Sequence, residues 1–222
     1  MKTLSETQEA ALTAAHSAGA DMEAIRWVYS PLRICLLGAH VDHQGGYVLG
    51  TAIDRRILLA FSPTPDAQVA LCSRDYEGRV CFSADAPPAD LSPAWGRYAA
   101  GAAVALNRRR PLARGIQGGI AGEAPVGGLS SSAAVGVAYL LALEHANALE
   151  VTPEENIELD RIIENEYIGL KNGILDQSMI LLSRKGALTA MNCRSGEYTH
   201  IPPGNDLPEF RLAVVHSATR RL

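Results

Sequence analysis

A glycine-rich turn that runs into serines and then a long apolar stretch is the feature that most constrains this chain. Residues 122–134 read Gly-Glu-Ala-Pro-Val-Gly-Gly-Leu-Ser-Ser-Ser-Ala-Ala. Gly127 and Gly128 lack Cβ, so their backbone can approach an anion closely, and the serines add hydroxyls beside the unpaired N–H groups of a helix start. The helix dipole adds partial positive charge there. The segment therefore predicts a phosphate-binding loop before a helix at 133–149.

A plain helix start explains the same residues about equally well, because serines are common N-caps after turns. The sequence contains neither Gly-x-x-x-x-Gly-Lys-Ser/Thr nor a Gly-x-Gly-x-x-Gly followed at the right distance by an acidic residue. Those are the motifs of the two commonest nucleotide-binding folds. A nucleotide function therefore requires a different phosphate loop and support from other segments.

Composition indicates a globular protein with a substantial core. The 222 residues are 47% hydrophobic and carry a formal net charge of −4. That charge gives no broad attraction to nucleic acid or to an anionic membrane surface, so neither is expected as a partner. Cys35, Cys72, Cys81 and Cys193 show no metal-binding spacing and are predicted to be free thiols. With no apolar run of transmembrane length and a polar N-terminus, the expected location is the cytoplasm.

The hydrophobic pattern predicts strands and helices in mixed order, with short connections typical of antiparallel pairing. We expect an α+β fold with a mixed, mostly antiparallel sheet. Predicted helices lie at 5–18, 95–107, 133–149, 153–167 and 173–182. Predicted strands lie at 25–37, 47–61, 69–72, 79–82, 116–121, 186–192 and 211–216.

Three separated segments together resemble the GHMP sugar kinases, and galactokinases in particular. The first, residues 33–46, reads Arg-Ile-Cys-Leu-Leu-Gly-Ala-His-Val-Asp-His-Gln-Gly-Gly, and the second is the glycine-serine loop. The third, residues 164–177, reads Glu-Asn-Glu-Tyr-Ile-Gly-Leu-Lys-Asn-Gly-Ile-Leu-Asp-Gln. Trp95-x-x-Tyr98-x-x-Gly101 and the run Asn-Cys-Arg-Ser at 192–195 extend the match. The resemblance implies the GHMP kinase N-terminal domain, a ribosomal S5 domain 2-like fold, over 25–222, after a helical extension at 1–24.

The resemblance also implies a role for each matching residue. Asp176 would take or orient the proton of a sugar hydroxyl, and Arg33 would steady Asp176 and the transferred phosphoryl group. Mg²⁺ would be held by Ser132 and Glu164. The remaining implied contacts are Gly127, Gly128, Leu129, Ser130, Ser131, Ser132, Ala133 and Trp95 with ATP, and Ala39, His40, Asp42, His43, Asn172 and Gly173 with the sugar.

One departure from the galactokinase pattern bears on the substrate. Ala39 stands where galactokinases have a glutamate that contacts the hydroxymethyl end of the hexose. Two like charges about 4 Å apart repel by ~1 kcal/mol in water and ~4 kcal/mol near a protein surface, so a glutamate would reject a uronic acid and alanine would not. The variant signature resembles that of plant-type galacturonokinases. It therefore favours D-galacturonate as acceptor.

Two other functions stay open: a galactokinase with an altered pocket, and a regulatory paralogue that binds sugar and ATP without turnover. The chain departs from the galactokinase pattern at two more places. The phosphate loop is one residue shorter, and Asn192 replaces the aspartate of galactokinases. The resemblance also implies a second, C-terminal domain that these residues do not contain. We therefore expect little activity from the chain alone. The sequence does not indicate an oligomeric state.

Overall fold

A computed structural model describes residues 4–123 and 129–206, together with Ala213 and Val215. Gly127 and Gly128 lie outside these residues, as does the predicted strand at 211–216 apart from its two isolated positions. No helix in the described ranges is long and apolar enough to cross a membrane.

The described residues contain seven strands: β1 (Arg26–Leu37), β2 (Tyr47–Pro63), β3 (Gln68–Ser73), β4 (Val80–Ser83), β5 (Ile116–Gly122), β6 (Leu188–Asn192) and β7 (Tyr198–Ile201). They form one sheet in the order β4-β3-β5-β2-β6-β7, with β1 paired to β2. Only the β3–β5 pair of these described strands is parallel. The α+β class and the mostly antiparallel sheet are thus confirmed.

The helices of the described residues are α1 (Glu6–Ser17), α2 (Arg97–Asn107), α3 (Ser131–Ala146), α4 (Pro153–Ile162) and α5 (Leu175–Leu182). They cover both faces of the sheet. On one face, α1 packs on Leu58, Ala60 and Ala121, while the main core of the other face lies beneath the remaining helices. Residues 57–62 of β2 are buried on both sides, because alternate side chains point to opposite faces of the strand.

Local sequence explains where several helices begin. Thr152 caps α4 through the backbone N–H of Glu155, whose side chain bonds back to Thr152, and Pro153 occupies the first turn as predicted. Ser5 and Gln8 form the same capping box at α1. Helix α1 packs directly on the sheet. The division of the chain at residue 24 stays a prediction.

Two elements differ from the sequence prediction. The helix predicted at 153–167 is α-helical only to Ile162 and continues as a wider π-helical turn, Ile163–Ile168, which ends at the left-handed Gly169. Strand β7 was not predicted, because it is a short edge strand with mostly exposed side chains. The π-helical turn matters for the site, because it carries Glu164.

Candidate active site

Asp176 is held between two elements that are far from it in the chain. Arg33, on β1, places Nε 2.8 Å and Nη2 2.6 Å from Oδ1 of Asp176, in the first turn of α5. Ser130, just before α3, donates its hydroxyl to Oδ2 of the same carboxylate. With side chains 15% and 25% exposed, Arg33 and Asp176 remain accessible from solvent. The structure thus connects the first two predicted motifs, through Arg33 and Ser130, to the carboxylate of Asp176 in the third motif.

Ser130 precedes α3 but does not act as an ordinary cap. Its backbone is left-handed, with φ 56° and ψ 44°, and its side chain makes no capping hydrogen bond. The hydroxyl that a plain helix start would use for capping is bonded to Asp176 instead. Ser130 therefore leaves the first N–H groups of α3 to another acceptor, as the phosphate-loop interpretation requires.

Glu164 is a buried carboxylate beside the start of α3. It is 1% exposed, and its Oε2 accepts a hydrogen bond of 3.1 Å from Nδ2 of Asn172. Burial raises the pKa of Glu164, against the opposing effect of the Asn172 amide and the Ser132 hydroxyl beside it. Its Oε1 has no hydrogen-bond partner among the described residues.

The carboxylate of Glu164 and the hydroxyl of Ser132 form a pair that fits a hard divalent cation. A carboxylate and a hydroxyl are oxygen ligands, and Mg²⁺ takes one or two such protein groups together with phosphate and water. The unpartnered Oε1 of Glu164 is available for that role. The described residues contain no group of three or more His, Cys, Asp or Glu side chains that could hold a metal ion.

Asp160, one helical turn before Glu164, is a buried carboxyl that the sequence interpretation missed. It is wholly buried, neither oxygen has a hydrogen-bond partner in the described chain, and burial followed by the nearby Glu164 raises its pKa well above the usual range. Its Oδ1 occupies the space beside Gly136, where a Cβ would lie 2.0 Å away. The four-residue spacing of Asp160 and Glu164 was the signal that could have indicated a shared buried face.

The predicted sugar-binding turn is anchored to the same α5 start as Asp176. Asp42 lies in a 3₁₀ turn, Asp42–Gln44, and its Oδ2 accepts the N–H of Leu175 at 3.0 Å. Gly173 packs so closely that a Cβ there would lie 2.1 Å from that oxygen. His43 places Nδ1 3.6 Å from the other oxygen of Asp42. Asp42, Gly173 and Asp176 therefore share one small region.

The other predicted sugar residues lie at different places around this region. Ala39 and His40 are exposed on the turn, and His40 has a positive φ of 65°. Asn172 directs its amide to Glu164, while its backbone N–H bonds to Asn165, so it lies on the proposed metal side of the site.

A cavity of about 1000 Å³ lies at the start of α3. Its lining includes Trp95, Tyr98, Ser131 and Ser132. Trp95 donates its indole N–H to the carbonyl of Glu77 at 3.0 Å, which fixes the ring at the rim. Burial raises the pKa of Tyr98 to about 12, so its hydroxyl keeps its proton at neutral pH. Ser131 and Ser132 thus line this cavity, whereas the preceding Ser130 bonds to Asp176.

Arg74 and Asp75 hold the end of β5 in place and were not predicted as site residues. Arg74 places Nε 2.8 Å from Oδ1 of Asp75 and also bonds to the carbonyl of Gly122. The N–H of Gly122 in turn donates to Oδ2 of Asp75 at 3.1 Å. Both side chains line the cavity at the point where the glycine-serine loop begins. No local motif marks them.

The chain matches two family models. The first, described as GHMP kinases N terminal domain, matches residues 97–184, and the second, described as galactokinase galactose-binding signature, matches residues 16–63. The first match contains Ser130, Glu164 and Asp176, and the second contains Arg33 and Asp42. Both proposed halves of the site therefore fall within matched segments.

Curated relatives and a solved structure agree with these models. The chain is 46% identical to a galacturonokinase from Arabidopsis thaliana, over 93% of the chain and 53% of the relative. It is 34% identical to a galactokinase from Thermococcus kodakarensis, over 87% of the chain and 54% of the relative. Galactokinase of Lactococcus lactis, solved as a complex with galactose, superposes with a TM-score of 0.78 at 30% identity, over 82% of the chain and 48% of that chain.

The chain spans about half the length of these relatives. A mevalonate kinase with a TM-score of 0.64 and 20% identity shares the fold. The predicted family and fold are therefore confirmed, and the chain belongs to the GHMP kinases, with the galactokinase signature in its N-terminal part.

Proposed function

We propose that this chain supplies the sugar site and most of the nucleotide site of an ATP-dependent sugar 1-kinase whose acceptor is D-galacturonate. The observation that carries the proposal is Asp176 at the start of α5, where the Asp42 turn is anchored and where Arg33 and Ser130, just before α3, both bond to its carboxylate. A sugar at Asp42 and a phosphate at the start of α3 would both lie next to this carboxylate.

The geometry supports positioning and charge stabilisation as the basis of the reaction. Phosphoryl transfer requires the attacking oxygen in line with the phosphorus and stabilisation of the phosphoryl oxygens. Asp176 would accept or orient the proton of the anomeric hydroxyl, and the fork of Arg33 would fix Asp176 and face the transferred group. Loss of such a proton acceptor typically reduces the rate by ~10²–10⁴.

The donor half of the proposal rests on α3 and the cavity behind it. The phosphates would meet the N–H groups and hydroxyls at the start of α3, with the base in the cavity beside Trp95. Ser132 and Glu164 would hold Mg²⁺, which would neutralise charge on the phosphates when bound. Gly127 and Gly128 keep their proposed role in the loop, although they lie outside the described residues.

The acceptor is inferred from Ala39 and from the relatives. Ala39 places no carboxylate at position 39, so a uronic acid meets no like charge from that residue. Support also comes from the 46% identity to a protein named galacturonokinase, which exceeds the 34% identity to a galactokinase.

A coupled ATP assay on the full-length protein tests the proposal, with galacturonate and galactose compared at equal concentration. We expect the higher kcat/KM for galacturonate, and equal or reversed values would contradict it.

The galactose complex of the similar Lactococcus lactis structure favours galactokinase activity as the second candidate. If the protein is a galactokinase, Ala39→Glu should barely alter the sugar preference. If it is a galacturonate kinase, Ala39→Glu should abolish the preference for the acid. Binding of both ligands without transfer would instead indicate a regulatory protein.

A further inference from the structure

The turn that carries Asp42 lies against a second turn, residues 193–197, which connects β6 to β7. The N–H of Cys193 donates to the carbonyl of Gly46 at 3.0 Å, and Tyr47 pairs with Asn192 in the sheet. The N–H of Gly45 bonds to the carbonyl of Asp42 at 3.0 Å. The second turn therefore adjoins the proposed sugar site.

Arg194 reaches across this junction. A Cβ built on Gly45 would lie 3.2 Å from Cβ and 3.3 Å from Nε of Arg194, so the arginine side chain lies on the surface left by this glycine. Gly45 has φ 72°, a conformation that glycine adopts without strain. Because Gly45 has no side chain, the stem of Arg194 can lie directly beside it. The backbone N–H of Gly45 is in turn bonded to the carbonyl of Asp42.

No carboxylate of the described residues lies within ion-pair distance of Arg194. Glu197 accepts a hydrogen bond from Ser195 instead, at 3.0 Å. Asn192, whose Oδ1 accepts the backbone N–H of Arg194, is a neutral amide. Asp42 is engaged with Leu175. The surface beside Gly45 therefore presents the guanidinium of Arg194, which has no counter-ion in the described chain.

We infer that Arg194 binds the carboxylate of an acidic sugar and selects it over the neutral hexose, an inference that rests on the proposed function. Asp42 is acceptor-only when ionised and suits sugar hydroxyls, whereas a guanidinium donates two parallel hydrogen bonds to a carboxylate. The two residues flank Gly45, so one ligand that carries hydroxyls and a carboxylate matches both. Ala39 adds no competing charge.

Binding measurements on the full-length protein test this assignment by calorimetry. The probes are galacturonate, its uncharged methyl ester and galactose, which share the ring hydroxyls. We expect the wild type to bind the acid at least tenfold more tightly than the ester. Because hydrogen bonds to charged groups are worth ~1.5–3 kcal/mol, Arg194→Ala should weaken binding of the acid about 10- to 100-fold and leave binding of the ester unchanged.

Three further variants separate charge, shape and folding. Arg194→Lys keeps the charge without the fork and should fall between the two. Arg194→Met keeps most of the apolar stem and should behave as Arg194→Ala does. Arg184→Ala removes an exposed arginine at the other end of β6 and should bind like the wild type. Thermal melting checks that each variant is folded.

The outcomes distinguish this inference from the proposed function. If Arg194→Ala keeps the preference for acid over ester while the wild type phosphorylates galacturonate, the inference is wrong and the function stands. If the wild type neither binds nor phosphorylates galacturonate, both are wrong. Loss of the acid preference in Arg194→Ala and Arg194→Met alone supports both.

Discussion

Ser130 combines a strained backbone with a hydrogen bond to Asp176, and two substitutions separate these features. Ser130→Ala and Ser130→Gly both remove the hydroxyl that orients the carboxylate, so each should lower kcat/KM about tenfold or more. Only glycine relieves the left-handed conformation, which costs other residues ~1–2 kcal/mol. Urea unfolding should therefore rank Ser130→Gly as the more stable variant. Wild-type activity in either variant would remove the hydroxyl from the mechanism.

Gly173 sets the distance between the sugar turn and α5. A Cβ there would lie 2.3 Å from Cγ of Asp42 and 2.8 Å from the backbone N of His43, and the backbone cannot yield as a flexible side chain can. Gly173→Ala should weaken sugar binding more than tenfold, because a misplacement of about 1 Å can cost 10²-fold. ATP affinity should be unchanged. Gly204→Ala, where a Cβ meets nothing within 4 Å, is the matched control in the same calorimetric titrations.

At the scale of elements, α3 and α4 enclose polar groups that their hydrophobic neighbours isolate from water. Glu144 and Asn156 are 6% and 2% exposed and share one hydrogen bond of 3.3 Å. Burial raises the pKa of Glu144 to about 7, while the Asn156 bond lowers it by less. The contact between these helices therefore depends on a carboxyl that prefers to keep its proton.

Glu144→Gln should flatten the pH dependence of folding. A carboxyl whose folded pKa is raised from 4.5 to about 7 favours the folded state fully below pH 4.5. That contribution is lost as pH rises through about 7, by roughly 3–4 kcal/mol at ~1.4 kcal/mol per pH unit. Urea unfolding between pH 4.5 and 8.5 should show the wild type losing stability and the variant losing less. Parallel curves would contradict the burial argument. Glu158→Gln, exposed on α4, is the control.

Most elements were predictable because their signals are local. The strands at the two ends of the Asp42 turn and the capping box of α4 follow from alternation and spacing. The π-helical turn at Ile163–Ile168 was not, since no local pattern marks it; in the fold its Ile163 packs against Gly101 of α2. The bond from Ser130 to Asp176 joins residues 46 positions apart, and no local pattern encodes it. Motif resemblance identified both residues, and only the fold showed their contact.

At the scale of the whole molecule, the sheet and α3 bring sites from distant parts of the chain to one place. The Asp42 turn joins β1 to β2, whereas Glu164 and Asp176 follow α3. Strand β2 links these parts, since it pairs with β1, β5 and β6. Ligands that bind the folded arrangement should therefore stabilise the whole chain, by ~2.7 kcal/mol at a concentration of 100 Kd.

Thermal melts of the full-length protein can separate the metal contribution from the sugar contribution. We expect MgATP to raise the Tm more than ATP alone, and Glu164→Gln to lose that additional increment because it removes a charged oxygen ligand. The amide fills the same buried space, where burial already disfavours the ionised form, so the unliganded Tm should change little. The increment with galacturonate should remain, because Asp42 is unaltered. Glu158→Gln should keep both increments, and a full Mg²⁺ increment in Glu164→Gln would exclude Glu164 as a ligand.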